Sequence, residues 1–190
     1  MGFIKAFSIM QTDRLIRRVI CLVLMLQSAE LWADWRVALP DARLLGSGEM
    51  RVFGFSIYRA QFWSPRLIAG QPLGADVPFA LELTYSRAVS RDDLVEASLK
   101  EIRRLSPNSL NSEQMARWER EMQQAFVDVR AGDRITGVYK PGEGARFYVG
   151  ENLHHVVRDE AFAKAFFAIW LDPRTRNPEL RAQLLGAAKP

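Results

Sequence analysis

Cysteine is almost absent from this chain of 190 residues, and the single one, Cys21, falls in an N-terminal segment that reads as a leader. The remainder therefore has no thiol for a disulfide, for nucleophilic attack or for a soft metal, although an oxidising compartment stays acceptable. Cys21 is also a poor lipidation acceptor, because Arg17 and Arg18 stand just before it. Histidine is scarce too, limited to His154 and His155. On a strand, neighbouring side chains point to opposite faces, so the pair does not make a metal site. The expectation is one histidine in solvent and one packed or hydrogen-bonded. A phosphate loop is missing as well: Gly46-Ser47-Gly48 precedes a strand and lacks a Gly-Lys-Ser/Thr continuation. Asp92-Asp93 is no acid–base pair, since Asp93 has a capping role at a helix start. The formal charge is only +4, with acids interleaved among the bases, which argues against nucleic acid as a partner. No catalytic residue, metal or cofactor is assigned.

What is present begins with the leader. Lys5, Arg14, Arg17 and Arg18 precede an apolar run from Val19 to Leu26, and Ala33 offers a processing position. The run is well short of the ~20 apolar residues of a spanning helix. A cleaved signal over residues 1–33 is the first expectation, with export to the periplasm. The alternatives are a retained anchor in the inner membrane, facing the periplasm, and an ordinary N-terminal helix. With 48% hydrophobic and 11% aromatic residues, the remainder, 34–190, is expected to fold as a single domain with a true core.

Periodicity predicts the elements. Asp34 to Gly48 reads as a strand and a turn, and Met50 to Trp63 as a strand with two distinct faces. Arg51, Phe53, Phe55, Ile57, Arg59, Gln61 and Trp63 share one face. Val52, Gly54, Ser56, Tyr58, Ala60 and Phe62 share the other, where the small residues leave room for a backbone, a helix or a ligand. A loop over Ala69–Gly74 leads to Phe79–Tyr85, which alternates as a half-buried antiparallel strand. Ser90 to Asp93 is a capping signature before a helical stripe of Leu94, Val95, Leu99, Ile102 and Leu105, which Ser106-Pro107-Asn108 stops. A second helix starts near Asn111 or Ser112 and buries Met115, Trp118, Met122, Ala125 and Phe126. Asp133–Tyr139 and Ala145–Val149 form a hairpin around Lys140–Gly144. Asp159 caps a helix burying Phe162, Ala163, Phe166, Phe167 and Trp170, and Asn177-Pro178 opens a short last one that Gly186 ends. The predicted class is α+β, an antiparallel sheet covered by helices.

The aromatic residues either fill the helix–sheet core, line an apolar cavity within it or form an exposed partner patch. Arg51 and Arg59 flank the aromatic centre of one strand face and Tyr58 lies on the other, so these three are the candidate ligand-binding residues for a small hydrophobic, carboxylated molecule. Solvated arginines are the alternative reading.

Four stretches, GSGEMRVFGFSIYRAQFW, YSRAVSRDDLVEASLKEIRRL, FVDVRAGDRITGVYKPGEGARFYV and DEAFAKAFFAIWLDPRTRNPELRAQLLG, together resemble the bacterial chalcone isomerase-like proteins from about Leu45 to Gly186. The YKPGEGARFY and FAKAFFAIWLDP pieces are the most specific. The resemblance implies an open-faced β-sandwich, a long curved antiparallel sheet with helices on one face. The plant isomerases of this group cyclise a chalcone to a flavanone with an early-strand arginine and Tyr, Asn and Thr groups. Non-catalytic members bind fatty acids through an early-strand arginine and a tyrosine. Aligning Tyr58 with the strand aromatic puts the arginine position at Met50, with Arg51 one residue out of phase, and puts the tyrosine and asparagine positions near Ser90 and Ala97. The resemblance therefore implies the fold with a binding role. An intramolecular lyase or isomerase, and an envelope interaction module without a small-molecule ligand, are the alternatives, and peripheral association with the envelope is a further expectation.

Overall fold

Six alternating segments hydrogen-bond into one sheet whose spatial order follows the chain. The computed structural model describes residues 34–67, 73, 76–106 and 110–186. Its strands are β1 (Arg43–Val52), β2 (Phe55–Ser64), β3 (Phe79–Tyr85), β4 (Arg134–Lys140), β5 (Gly144–Val149) and β6 (Asn152–Val157). Each is antiparallel to the next. The helices are α1 (Trp35–Ala38), α2 (Arg91–Leu105), α3 (Ser112–Ala125), α4 (Glu160–Leu171) and α5 (Pro178–Leu184). The sheet is curved and open, and α2 to α5 pack on one face of it, which is the expected α+β architecture. The leader expected over 1–33, the Pro107-Asn108 stop and most of the loop expected over Ala69–Gly74 lie outside the described residues. Among the described residues no helix is long and apolar enough to cross a membrane.

The helix starts follow from capping. Ser90 Oγ accepts from the Asp93 N–H, Asn111 Oδ1 from that of Gln114 and Asp159 Oδ1 from that of Phe162, each satisfying a donor that the first turn leaves free. Every residue expected on the buried stripe of α3 or α4 is buried, and on α2 only Leu94 stays partly exposed. Against these stripes the sheet presents Phe62, Phe79, Leu81, Tyr139 and Phe147.

Three expectations need correction. The Met50–Trp63 run is the end of one strand and the start of the next, joined by a two-residue loop at Phe53-Gly54 with Val52 opposite Phe55. Both loop residues have positive φ, 50° and 83°, as a hairpin loop matched to strand twist requires. Pairing Val52 with Phe55 puts an even and an odd position on one face, so the loop reverses the alternation, and the extra residue Ile57 restores it by making Met50 and Tyr58 partners. Phe in place of the usual Asn removes the turn signal. Next, Asp34–Gly48 does not begin with a strand: Trp35–Ala38 is a helical turn capped by Asp34, and the strand starts at Arg43. Finally, β3 is buried on both faces, because α1 lays Trp35 over the side opposite the other helices, beside Ala80, Val138 and Tyr148. Beneath it Glu82 is only 4% exposed. Its Oε2 accepts from Trp35 Nε1 at 3.3 Å and Thr136 Oγ1 at 3.4 Å, with the Arg134 guanidinium 4.0 Å away.

The Gly46-Ser47-Gly48 segment has a packing role. A Cβ at Gly46 would stand 2.0 Å from the carbonyl oxygen of Gln183, and one at Gly48 would stand 2.6 Å from Leu180 Cδ1. Two glycines on one face of β1 thus let α5 lie directly on the strand backbone.

Candidate functional site

Between the sheet and helices α2 and α4 lies a cavity of about 910 Å³, within the usual range for small-molecule sites. The strands supply Met50, Tyr58, Leu83 and Tyr85, and the helices Leu94, Phe166, Ile169 and Trp170, while small residues at Ala97 and Ser98 keep α2 from filling the space. An irregularity in strand pairing widens the apolar wall. Met50 pairs with Tyr58 and Arg51 with Ser56, so Ile57 is an extra residue in β2. The bulge brings the consecutive side chains Ile57 and Tyr58 both onto the cavity.

Two phenols meet inside. The Tyr58 and Tyr85 rings are edge to face with centroids 5.8 Å apart. Trp170 Nε1 donates to the Tyr58 hydroxyl at 2.9 Å, tying α4 to β2. Burial pushes the Tyr58 phenol up to about 12, against the smaller opposing effect of the Trp170 hydrogen bond. Burial raises Tyr85 further, and the neighbouring Tyr58 adds to the rise. Both are therefore neutral near pH 7 and available as hydrogen-bond donors. Among the described residues neither hydroxyl proton has an acceptor.

The charged groups of the lining divide unevenly. Its three carboxylates already accept hydrogen bonds from within the protein: Asp93 from Ser90, Asp128 from the Arg91 N–H, and Glu101 from Arg104, with Arg176 also ion-paired to it. Arg87, Arg130 and Lys100 also line the cavity, are exposed, and have no ion-pair partner among the described residues. An apolar interior with unpaired cations at its exposed rim matches an anionic headgroup on an apolar body.

Of the three sequence candidates, Tyr58 enters the cavity. Arg51 and Arg59 do not line it. The Arg51 guanidinium is held at the hairpin by Glu49 at 2.7 Å and by the Gly54 carbonyl at 3.2 Å, and Arg59 is exposed opposite Glu49. The structure therefore does not gather the three into one site. Arg87 and Arg130 went unnoticed in the sequence because they lie on separate loops that the Val89–Val129 bridge and the hydrogen bonds of Tyr85 to Gly132 and Asp133 bring together. No local pattern marks them. The histidines behave as expected: His155 Nε2 is 2.8 Å from Glu121 Oε2 while His154 is exposed. Among the described residues no group of three or more His, Cys, Asp or Glu could hold a metal ion.

The profile of the family described as chalcone isomerase-like matches residues 31–186. The chain belongs to the chalcone isomerase-like family. No curated protein matches it in sequence. Among solved structures it is similar to the crystal structure of the Arabidopsis thaliana fatty-acid binding protein AtFAP1, with a TM-score of 0.61 and 12% identity, covering 77% of this chain and 87% of that one. At that identity the likeness is one of fold. Within the chalcone isomerase-like frame, the positions that the resemblance gives to arginine, tyrosine and asparagine fall at or near Met50, Ser90 and Ala97, and all three of these residues line the cavity. A thioether, a short hydroxyl and a methyl thus stand on the cavity wall where charge and amide are implied, and the arginine one residue later is turned away to the hairpin surface.

Proposed function

We propose that this is a non-catalytic chalcone isomerase-like protein of the bacterial periplasm, exported by its N-terminal leader, that binds a small amphiphile with a carboxylate headgroup. The apolar body enters past Leu94 and Ile169 toward Trp170, the Tyr58 and Tyr85 hydroxyls donate to any oxygen carried inward, and Arg87 and Arg130 hold the carboxylate at the rim. The observation that carries this reading is the imbalance of the lining, where every carboxylate is already engaged while Arg87, Arg130 and Lys100 have no ion-pair partner among the described residues. The fold shared with a fatty-acid binding protein supports it. Isomerase chemistry gains nothing from Met50, Ser90 and Ala97, none of which polarises a phenolate as the implied arginine does.

Calorimetric titration with dodecanoate and with dodecanol tests the proposal. The acid is expected to bind at least about tenfold more tightly than the alcohol, a difference of ~1.4 kcal/mol, and an Arg87→Gln/Arg130→Gln variant removes the preference. Binding of neither, together with no lipid in organic extracts of the purified protein analysed by mass spectrometry, would overturn it.

A further inference from the structure

The tip of the β1–β2 hairpin is at odds with its own backbone. Phe53 occupies a left-handed conformation, φ 50°, where bulky side chains are outliers and Asn or Gly is usual. Among the described residues its ring finds no packing that offsets that cost, being 96% exposed. Phe55, across the loop, is 68% exposed, and its strand partner Val52 is 40% exposed while also lining the cavity. The charge around this apolar tip is positive. Glu49 is matched by Arg51 at 2.7 Å and faces Arg59 across the strand pair. Arg87 follows Ser86, whose hydroxyl accepts from that of Ser56 at the hairpin base.

We propose that this tip is a membrane anchor: Phe53 and Phe55 insert into the interface of an anionic lipid bilayer while Arg51 and Arg59 meet its headgroups. A convex hairpin tip with two exposed rings offers little of the roughly 1,000 Å² that a specific protein partner requires, whereas a bilayer needs no complementary surface. Aromatic insertion with flanking arginines is the physics of interfacial attachment. Because Val52 belongs both to the tip and to the cavity wall, attachment sets the rim against the lipid.

Co-sedimentation with vesicles tests this, using phosphatidylcholine alone and phosphatidylcholine with phosphatidylglycerol in equal parts. The protein is expected to pellet with the anionic vesicles, less with the neutral ones, and less as salt is raised. Phe53→Asn suits the left-handed position better than Phe, so it keeps the fold, read as an unchanged or raised thermal midpoint, and is expected to weaken vesicle binding at least about tenfold. Failure of the unaltered protein to pellet with either vesicle overturns the proposal, as does a Phe53→Asn variant that binds as well as the parent. Phe53-dependent crosslinking to a protein without vesicle binding also overturns it, in favour of a protein partner. The vesicles contain no dodecanoate and Phe53 does not line the cavity, so this test and that of the ligand fail independently.

Discussion

One face of the sheet carries two differently finished halves. Toward the middle strands, Phe79 is surrounded by the rings of Phe62, Tyr139 and Phe167 at centroid separations of 5.1, 5.0 and 5.0 Å, and the space is filled by aromatic groups from sheet and helix alike. Toward the hairpin, Tyr58 and Tyr85 face α2 across Ala97 and Ser98, and about 910 Å³ stays open. The backbone layers are the same in both halves. What differs is that large side chains meet large ones in the first and small ones in the second, so the cavity is a product of residue size on α2.

That contrast can be broken first in the filled half. Phe167→Ala removes a ring with no exposure, and urea denaturation is expected to show a loss of about 3–5 kcal/mol. Ala97→Phe places a ring in the open half, where it enters vacant space. Its stability is expected to stay within about 1 kcal/mol of the parent while dodecanoate binding is lost. Equal destabilisation by the two would mean that the halves are packed alike.

A smaller effect is expected at the seam between them. Tyr58→Phe strips Trp170 Nε1 of its acceptor, and leaving that donor unpaired costs about 1–3 kcal/mol. An unchanged midpoint in urea would show that the bond does not join α4 to β2.

The mildest probe is alkali. Tyr58 has its pKa raised from 10.0 to about 12 in the folded protein, and Tyr85 is raised in the same direction. Folding therefore favours the protonated phenols. Their contribution is fully present below pH 10 and is lost as pH rises through 10 to 12, because the unfolded chain releases these protons first. Denaturation midpoints are expected to be level up to about pH 9 and to fall above pH 10, less steeply in Tyr58→Phe. A flat profile would mean that the phenols are hydrated.

Much of this was legible from residue spacing. The stripes of α3 and α4, the caps at Ser90, Asn111 and Asp159 and the hairpin at Lys140–Gly144 follow from local chemistry, and local chemistry is what a sequence displays. The Phe53-Gly54 loop was not, because Phe53 is not a residue type that marks such a turn and the extra residue Ile57 restores the alternation that the turn reverses. Nor was the burial of Glu82, which depends on a tryptophan 47 positions away in the chain. At the site, Tyr58 was a candidate from its strand face, although the small neighbours Gly54 and Ser56 that suggested room there do not line the cavity. Arg51 could not be placed correctly, because the turn that redirects it was hidden. Arg87 and Arg130 acquire meaning only once two loops meet.

The seat of α5 on Gly46 and Gly48 reaches beyond packing. A ribosome delivers β1 near the beginning of the described chain and α5 after every other described element, yet each completes the other. Until α5 emerges, the first strand waits with a bare groove, and no earlier segment can close it. Completion of this domain therefore waits on a contact of very long sequence separation, of the kind that slows folding.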